Sequence, residues 1–353
     1  MASSEPDADK PPSPGWDAID AALRPIYGDE EPFHYGSLLP AMLGGNDPLH
    51  GISVYHRAHP TPHFHYITYG FSDLWGEGEQ GSDFSKFGFE LTFRLACGAE
   101  KSEPPAWPLS FLQNIARYVF KTGNHFEAGH HVNCNGPIAL DYPTEIAFIA
   151  FAQDPELGTI ETPYGRVEFL QIVGLCADEY ETIKHWRTDK LLAILERSYP
   201  LLITDLDRHS ILLDLDIARE VEEAASKEGS LQSAVFAMEV ETELVGEVMH
   251  VRISANVIGD LLLMLDNQLT HGHPCSVIGQ NQSLQFEPGT TSGWLKAENA
   301  LRITLAPHLQ AEIRRTLRIE RGKYQWADLP QFVLEVVPTE IKDHDGQIVA
   351  VIG

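Results

Sequence analysis

Phe87-Gly88-Phe89-Glu90-Leu91-Thr92-Phe93-Arg94-Leu95 is the stretch that decides the fold. Apolar side chains occupy every second position, with Gly88, Glu90, Thr92 and Arg94 between them. Successive side chains leave a strand on opposite faces, so a period of two predicts a strand with one buried face. Upstream, residues 64–71 are aromatic and read as a second strand. Downstream, Pro104, Pro105 and Pro108 mark a loop into a helix. Phe111, Ile115 and Tyr118 form the apolar stripe of that helix, and Gly123 is placed to stop it.

Further out the pattern is mixed. Residues 17–23 predict a short helix ended by Pro25, and 40–62, rich in Gly, Pro and His, predict irregular chain. Residues 145–151 and 166–173 read as strands, 188–197 as a helix, and 201–204 and 211–215 as strands. From 214 to 247 there are ten acidic and two basic residues, which marks a candidate linker with a boundary near residue 230. Beyond it, 235–240, 248–253, 276–286 and 332–337 read as strands, and 256–269 and 307–321 as helices. Strands and helices do not alternate in βαβ order. The expectation is therefore α+β: a tail over 1–15, then two domains, 16–230 and 231–353, each a mixed sheet with packed helices.

The 353 residues are 43% hydrophobic and 22% charged, which excludes a wholly disordered chain. No apolar run approaches the ~18 residues of a membrane span, and the first residues lack a secretory signal's apolar core. The net charge of −26 opposes nucleic acid and anionic lipid and favours a basic partner, although acidity also serves solubility alone. Cys97, Cys134, Cys176 and Cys275 match no zinc spacing. Four thiols in so long a chain point to the reduced state and a cytoplasmic location.

No phosphate-binding loop, dinucleotide fingerprint or nucleophile elbow is present. The histidines are the suggestive feature. His63 and His65 share one face of a strand and would suit a metal with a carboxylate such as Asp73. The alternative is that they pack and hydrogen-bond within an aromatic strand, with Asp73 bonding its own turn. Asp47, Asp73 and Glu90 are the acids available for acid–base work if the fold unites them. The dense aromatics between Trp16 and Phe126 form either core or a groove for an added strand.

Five blocks in order complete the reading: Gly44-Gly45-Asn46-Asp47-Pro48-Leu49; His65 to Gly76; the Phe87 to Leu95 strand; Pro104-Pro105-Ala106-Trp107-Pro108 running into Ala116-Arg117-Tyr118-Val119-Phe120; and Thr162-Pro163-Tyr164-Gly165 leading to Phe169 through Gly174. In this order they resemble the Suppressor of fused family over about residues 16–216. Leu263-Met264-Leu265, His271-Gly272-His273 and the pattern from Leu301 to Val337 resemble its C-terminal domain. The chain lacks the long insertion of the animal members and is similar to a compact bacterial type. The resemblance implies protein binding without catalysis or cofactor. One implied role is an immunity protein that neutralises a toxin, here one of basic charge. The other is a clamp that holds a regulatory peptide, such as a transcription-factor segment, as an added strand between the domains. It implies partner contacts at Tyr118, His130, His131, Leu263 and Leu265. His130 stands where the animal proteins carry an acid. A third reading, from the residues alone, is a metal-dependent enzyme built on His63 and His65.

Overall fold

The computed structural model describes residues 12–36, 47–78, 81–99, 103–229, 234–237, 239–279, 281–297, 299–342 and 348–353. Most of the expected tail, the boundary residue 230, and Gly44, Gly45 and Asn46 lie outside the described residues. The chain divides into two compact units, Met1–Glu181 with Thr188–Ala218, and Thr182–Arg187 with Arg219–Gly353. The fold is α+β, as expected. Among the described residues no helix is long and apolar enough to cross a membrane.

The N-terminal unit begins with α1 (Pro14–Tyr27), followed by β1 (Phe33–Gly36), β2 (Gly51–Arg57), β3 (His63–Tyr69), β4 (Phe84–Ala96), α2 (Trp107–Thr122), β5 (His131–Asn133), β6 (Phe148–Gln153), β7 (Thr159–Thr162) and β8 (Gly165–Leu175). After these come α3 (Ala177–His185) and α4 (Thr188–Ser198); the last turn of α3 and most of α5 (Leu215–Glu228) belong to the C-terminal unit. The strands form one sheet in the order β1-β2-β3-β4-β8-β6-β5, with β7 paired to β8. Only the central pair, β4 and β8, is parallel.

Helix α1 runs straight through Pro25 to Tyr27 instead of ending before it. Ile19, Leu23 and Tyr27, spaced four apart, are buried against Ile67, Tyr69 and Phe169, and this packing outweighs the one hydrogen bond that a proline removes. On the other face of the sheet, α2 buries Pro108, Leu112, Ala116 and Val119. The buried line is thus one residue on from the expected stripe, with Phe111 and Ile115 at its flank and Tyr118 outside it. Gly123 closes α2 in the left-handed conformation, as expected.

With helices on both faces, β4 has no solvated side. Glu90, Thr92 and Arg94 are as fully buried as Phe89, Leu91 and Phe93, which corrects the expectation of one buried face. Three further readings change. Residues 40–62 contain β2. Residues 201–204 and 211–215 hold 3₁₀ turns over Pro200–Leu202 and Ile211–Leu213 instead of strands. The stretch expected as a linker is largely α5 and strand.

In the C-terminal unit the strands are β9 (Ala234–Phe236), β10 (Val240–Val245), β11 (Val248–Ser254), β12 (Cys275–Ile278), β13 (Ser283–Pro288), β14 (Gly293–Lys296), β15 (Ala300–Leu305), β16 (Gly322–Trp326), β17 (Leu329–Val337), β18 (Thr339–Lys342) and β19 (Ile348–Ile352). The helices are α6 (Ile258–Asn267) and α7 (Pro307–Thr316). Two sheets, β10-β11-β17-β16 and β14-β15-β13-β12-β9, share one apolar core with both helices. The stretch read as one strand over 276–286 is the hairpin β12–β13.

Candidate functional site

The polar face of β4 is the first place to look for chemistry, and it forms a closed ionic cluster. The Arg94 guanidinium donates to both Asp154 oxygens at 2.6 and 3.1 Å, to Glu156 at 3.0 Å and to Gln171. Asp154 also accepts from Thr92 Oγ1 at 2.7 Å and from the Glu156 and Leu157 amides. Arg57 grips both Glu156 oxygens at 2.6 Å. With that many donors, Asp154 is held far below the usual carboxylate range despite its burial. A buried charge is tolerated only when paired and hydrogen-bonded, and here the pairing is complete on the carboxylate side.

His63 and His65 belong to this interior. The Tyr27 hydroxyl donates to His65 Nδ1 at 2.6 Å, and His65 Nε2 lies 3.4 Å from Asp154. His63 Nδ1 donates to the Thr61 carbonyl at 2.7 Å. Burial lowers both rings to a pKa of about 4. Asp73, the expected carboxylate ligand, is elsewhere: it accepts the amides of Trp75, Gly76, Glu77 and Gly78 at 2.8–3.2 Å and closes its own turn. Among the described residues no three His, Cys, Asp or Glu side chains are placed to hold a metal. Nor do the three acids meet. Glu90 is buried, accepting from Thr68, Gly70 and Ser72, while Asp47 pairs with Arg117 at the surface. Arg208 and Glu179 form another buried pair, bidentate at 2.6 Å, that ties α3 to the chain before Ile211.

A different region lies at the end of the sheet. β5 ends the sheet order and is paired only to β6 among the described residues. The chain reaches it from α2 through a short aromatic loop. Thr122 Oγ1 donates to the Tyr118 carbonyl at 2.8 Å and Asn124 Nδ2 donates to the Tyr118 hydroxyl at 3.2 Å. Phe126 stacks on Phe151 at 4.2 Å on one side and on Tyr118 at 5.9 Å on the other. Gly129, at φ +95°, turns the chain so that its amide donates to the Phe151 carbonyl at 2.8 Å. The Phe151 amide in turn donates to the His130 carbonyl at 2.9 Å, and Cys134 N–H to the Ala147 carbonyl at 3.1 Å.

That register fixes the edge. In an antiparallel pair the bonded positions alternate, so His130, Val132 and Cys134 face β6, and the N–H and C=O of His131 and Asn133 turn outward. Tyr118 is 47% exposed at one flank. His131 meets Tyr180 edge-on at 5.2 Å, and Tyr180 stacks on Phe148 at 4.3 Å. His130 is exposed, and its Nδ1 accepts the Glu127 amide at 3.2 Å. The neutral ring therefore carries its proton on Nε2 and presents a donor. The structure thus places His131 on this edge strand and His130 immediately before it, and links Tyr118 to β6 through the Phe126–Phe151 stack. Leu263 and Leu265 lie on α6 in the other unit, Leu263 half-buried and Leu265 a core residue at 1% exposure.

Sequence reasoning read Asp154 only as turn chemistry with Pro155 and passed over Glu156, Gln171 and Arg208. Their side-chain partners lie 29–99 residues away, beyond the reach of local pattern.

The comparisons agree with this architecture. The family model described as Suppressor of fused protein (SUFU) matches residues 45–209. The human Suppressor of fused homolog is 36% identical over 241 residues, which cover 63% of this chain and 49% of the human protein. The match thus spans about half the length of the curated relatives. A crystal structure of Drosophila Suppressor of Fused superposes with a TM-score of 0.78, covering 92% of this chain and 97% of that one at 24% identity, and shows the same fold. A chain from the Sufu–Fu complex crystal structure is 35% identical, with 61% of this chain and 98% of that chain covered and a TM-score of 0.56. Identity at that level over nearly the whole of a solved relative, together with the family-model match, establishes that the chain belongs to the Suppressor of fused family.

Proposed function

We propose that the chain is a non-catalytic binding protein that takes an extended peptide segment of a partner as an added strand on β5. The carrying observation is the register of β5, which turns the N–H and C=O of His131 and Asn133 outward beside a half-exposed Tyr118. Backbone pairing supplies affinity in this mode, and flanking pockets supply choice of side chain. Support also comes from a relative solved as the Sufu–Fu complex. With a donor at His130 Nε2, the partner group met there is an acceptor, such as a carboxylate or carbonyl. Four free thiols favour a reducing, cytoplasmic setting.

A second reading rests on the charge of −26, which steers basic partners. It makes the partner a basic toxin and the chain its immunity protein. The two readings share one experiment. The tagged chain captures its partner from the native host, and hydrogen exchange maps the contact. Protection of β5 amides, with capture lost in Asn133→Pro and weakened more than about tenfold in Tyr118→Ala, upholds strand addition. Capture unaffected by both variants refutes it. A basic partner that is toxic alone and tolerated beside this chain assigns the immunity role, and a non-toxic partner removes it.

A further inference from the structure

A pocket of about 310 Å³ opens between α1, β1 and β2, on the α1 side of the sheet. Trp16, Asp20, Tyr27, His34 and Tyr55 wall it, with Leu23 beneath. Each wall is pinned by a contact of its own. Trp16 stacks on Tyr69 at 4.2 Å and meets His34 edge-on at 5.4 Å. The His34 ring is hydrogen-bonded to Ser53 Oγ at 3.1 Å. Tyr55 stacks on Tyr27 at 3.8 Å, and Tyr27 is held by His65. Side chains fixed this way cannot collapse into the space, so the pocket is preformed.

Among its lining residues Asp20 is the acid and Arg24 the permanent cation. Asp20 Oδ1 accepts the Tyr69 hydroxyl at 2.8 Å, and this is the one hydrogen bond found for that carboxylate among the described residues. Partial burial raises the Asp20 pKa, and this outweighs the lowering by the Tyr69 hydrogen bond, His34 and Arg24. Asp20 and Glu30 together raise that of Tyr55, after burial. Arg24, one turn on, is exposed at the rim and makes no ion pair with Asp20 among the described residues.

We infer that this pocket binds an organic ammonium ion, with its charge on the Asp20 carboxylate and its alkyl groups against Trp16 and Tyr55. A carboxylate beside aromatic faces is the chemistry that recognises such cations, through ion pairing and the negative ring face, and Asp20 is exposed to an incoming ligand. A metal ion is a poorer fit, since the walls offer aromatic carbon in place of a set of oxygens. The ligand comes either as a free amine or as a lysyl side chain of a partner, and the test separates them. The inference does not depend on strand addition at β5.

The full chain is titrated with choline, with N-acetyl-lysine methylamide, and with 3,3-dimethylbutan-1-ol, the neutral carbon isostere of choline. The Trp16 indole N–H resonance is followed by NMR. Saturable binding of an amine, with the isostere about tenfold weaker, supports the assignment. Asp20→Asn should weaken the amine by about tenfold at an unchanged unfolding midpoint, and Trp16→Leu should weaken it as well. The tighter of the two amines names the source. Equal affinity for the isostere, an unmoved Trp16 resonance with both amines, or full binding by Asp20→Asn overturns it.

Discussion

Acid should destabilise the N-terminal unit through His63 and His65, well before Asp154 titrates. Both rings are buried at 0% exposure, and both are lowered from the ordinary value of 6.5 to about 4. The unfolded chain therefore binds protons between pH 6.5 and 4 while the folded chain does not. Stability rises with pH wherever the unfolded state holds more protons, so it is fully present above pH 6.5 and falls as pH drops toward 4. A shift of this size is worth about 3 kcal/mol per ring over the whole window. At pH 5.5 the loss is roughly 1–2 kcal/mol per ring, or about 3 kcal/mol for the pair. Asp154 contributes nothing to this slope, because its stabilisation is lost only below the ordinary carboxylate value of 3.8. Burial raises Glu90, whose contribution has the opposite sign, so the measurement must be a difference between variants.

Asn is the suitable replacement at both positions. Its amide overlays the Nδ1 edge of the ring, keeping an acceptor for the Tyr27 hydroxyl at 65 and a donor for the Thr61 carbonyl at 63. Hydrogen exchange of the β3 and β4 amides, corrected for intrinsic rates, reads the stability of this unit alone. The parent should lose about 3 kcal/mol more than the double Asn variant between pH 7 and 5.5. Equal losses in the two proteins would refute the assignment of the slope to these rings.

Arg94→Leu should lower stability by about 3–5 kcal/mol, since it strands a buried Asp154, and adding Asp154→Asn should restore part of it; a loss below ~1 kcal/mol in urea unfolding counts against the cluster as an anchor. Leu265→Ala should cost about 2–5 kcal/mol, whereas Leu263→Ala, half-buried on the same helix, should cost under half of that. Tyr118→Ala should leave the unfolding midpoint nearly unchanged, within about 0.5 kcal/mol, because the ring is half in solvent. A large shift there would make Tyr118 a folding residue and remove it from the binding edge.

The period of two in Phe87–Leu95 was enough to find β4 and orient it, because alternation is a local property. What alternation cannot state is whether the second face meets water. That depends on α1, which lies more than fifty residues earlier and covers the Glu90, Thr92 and Arg94 side only after folding. The polar face was therefore legible as polar but not as buried. Short apolar runs failed for a related reason. Residues 201–204 and 211–215 have strand composition, yet four or five residues cannot show a period, and 3₁₀ turns won. The β12–β13 hairpin was signalled by Gly279 and Asn281, turn residues inside a run read as continuous. As contact residues Tyr118, His130 and His131 came from the resemblance alone; the pairing of β5 with β6 sets the two histidines at the sheet edge, and Phe126 links Tyr118 to β6.

A closed ionic interior and an open strand edge answer one physical need. A strand added to β5 gains backbone hydrogen bonds only if β5 holds its register with β6 as its one strand partner among the described residues, and a three-residue strand has little pairing of its own to hold it. Its rigidity must come from behind. β6 anchors β5 and is itself paired to β8. β8 carries Gln171, which accepts from Arg94 and donates to the Leu201 and Leu202 carbonyls. Arg94 in turn clamps Asp154, immediately after β6. The guanidinium thus joins β4, β8 and the end of β6 with bonds of fixed direction, which apolar packing alone would leave free to slide. Arg94→Leu should then loosen β5 exchange even in a background stabilised enough to stay folded, and partner affinity should fall with it. An edge that keeps its protection and its affinity in that background would show that β5 is held by its own loop, through Phe126 and Gly129, and not by the charges beneath the sheet.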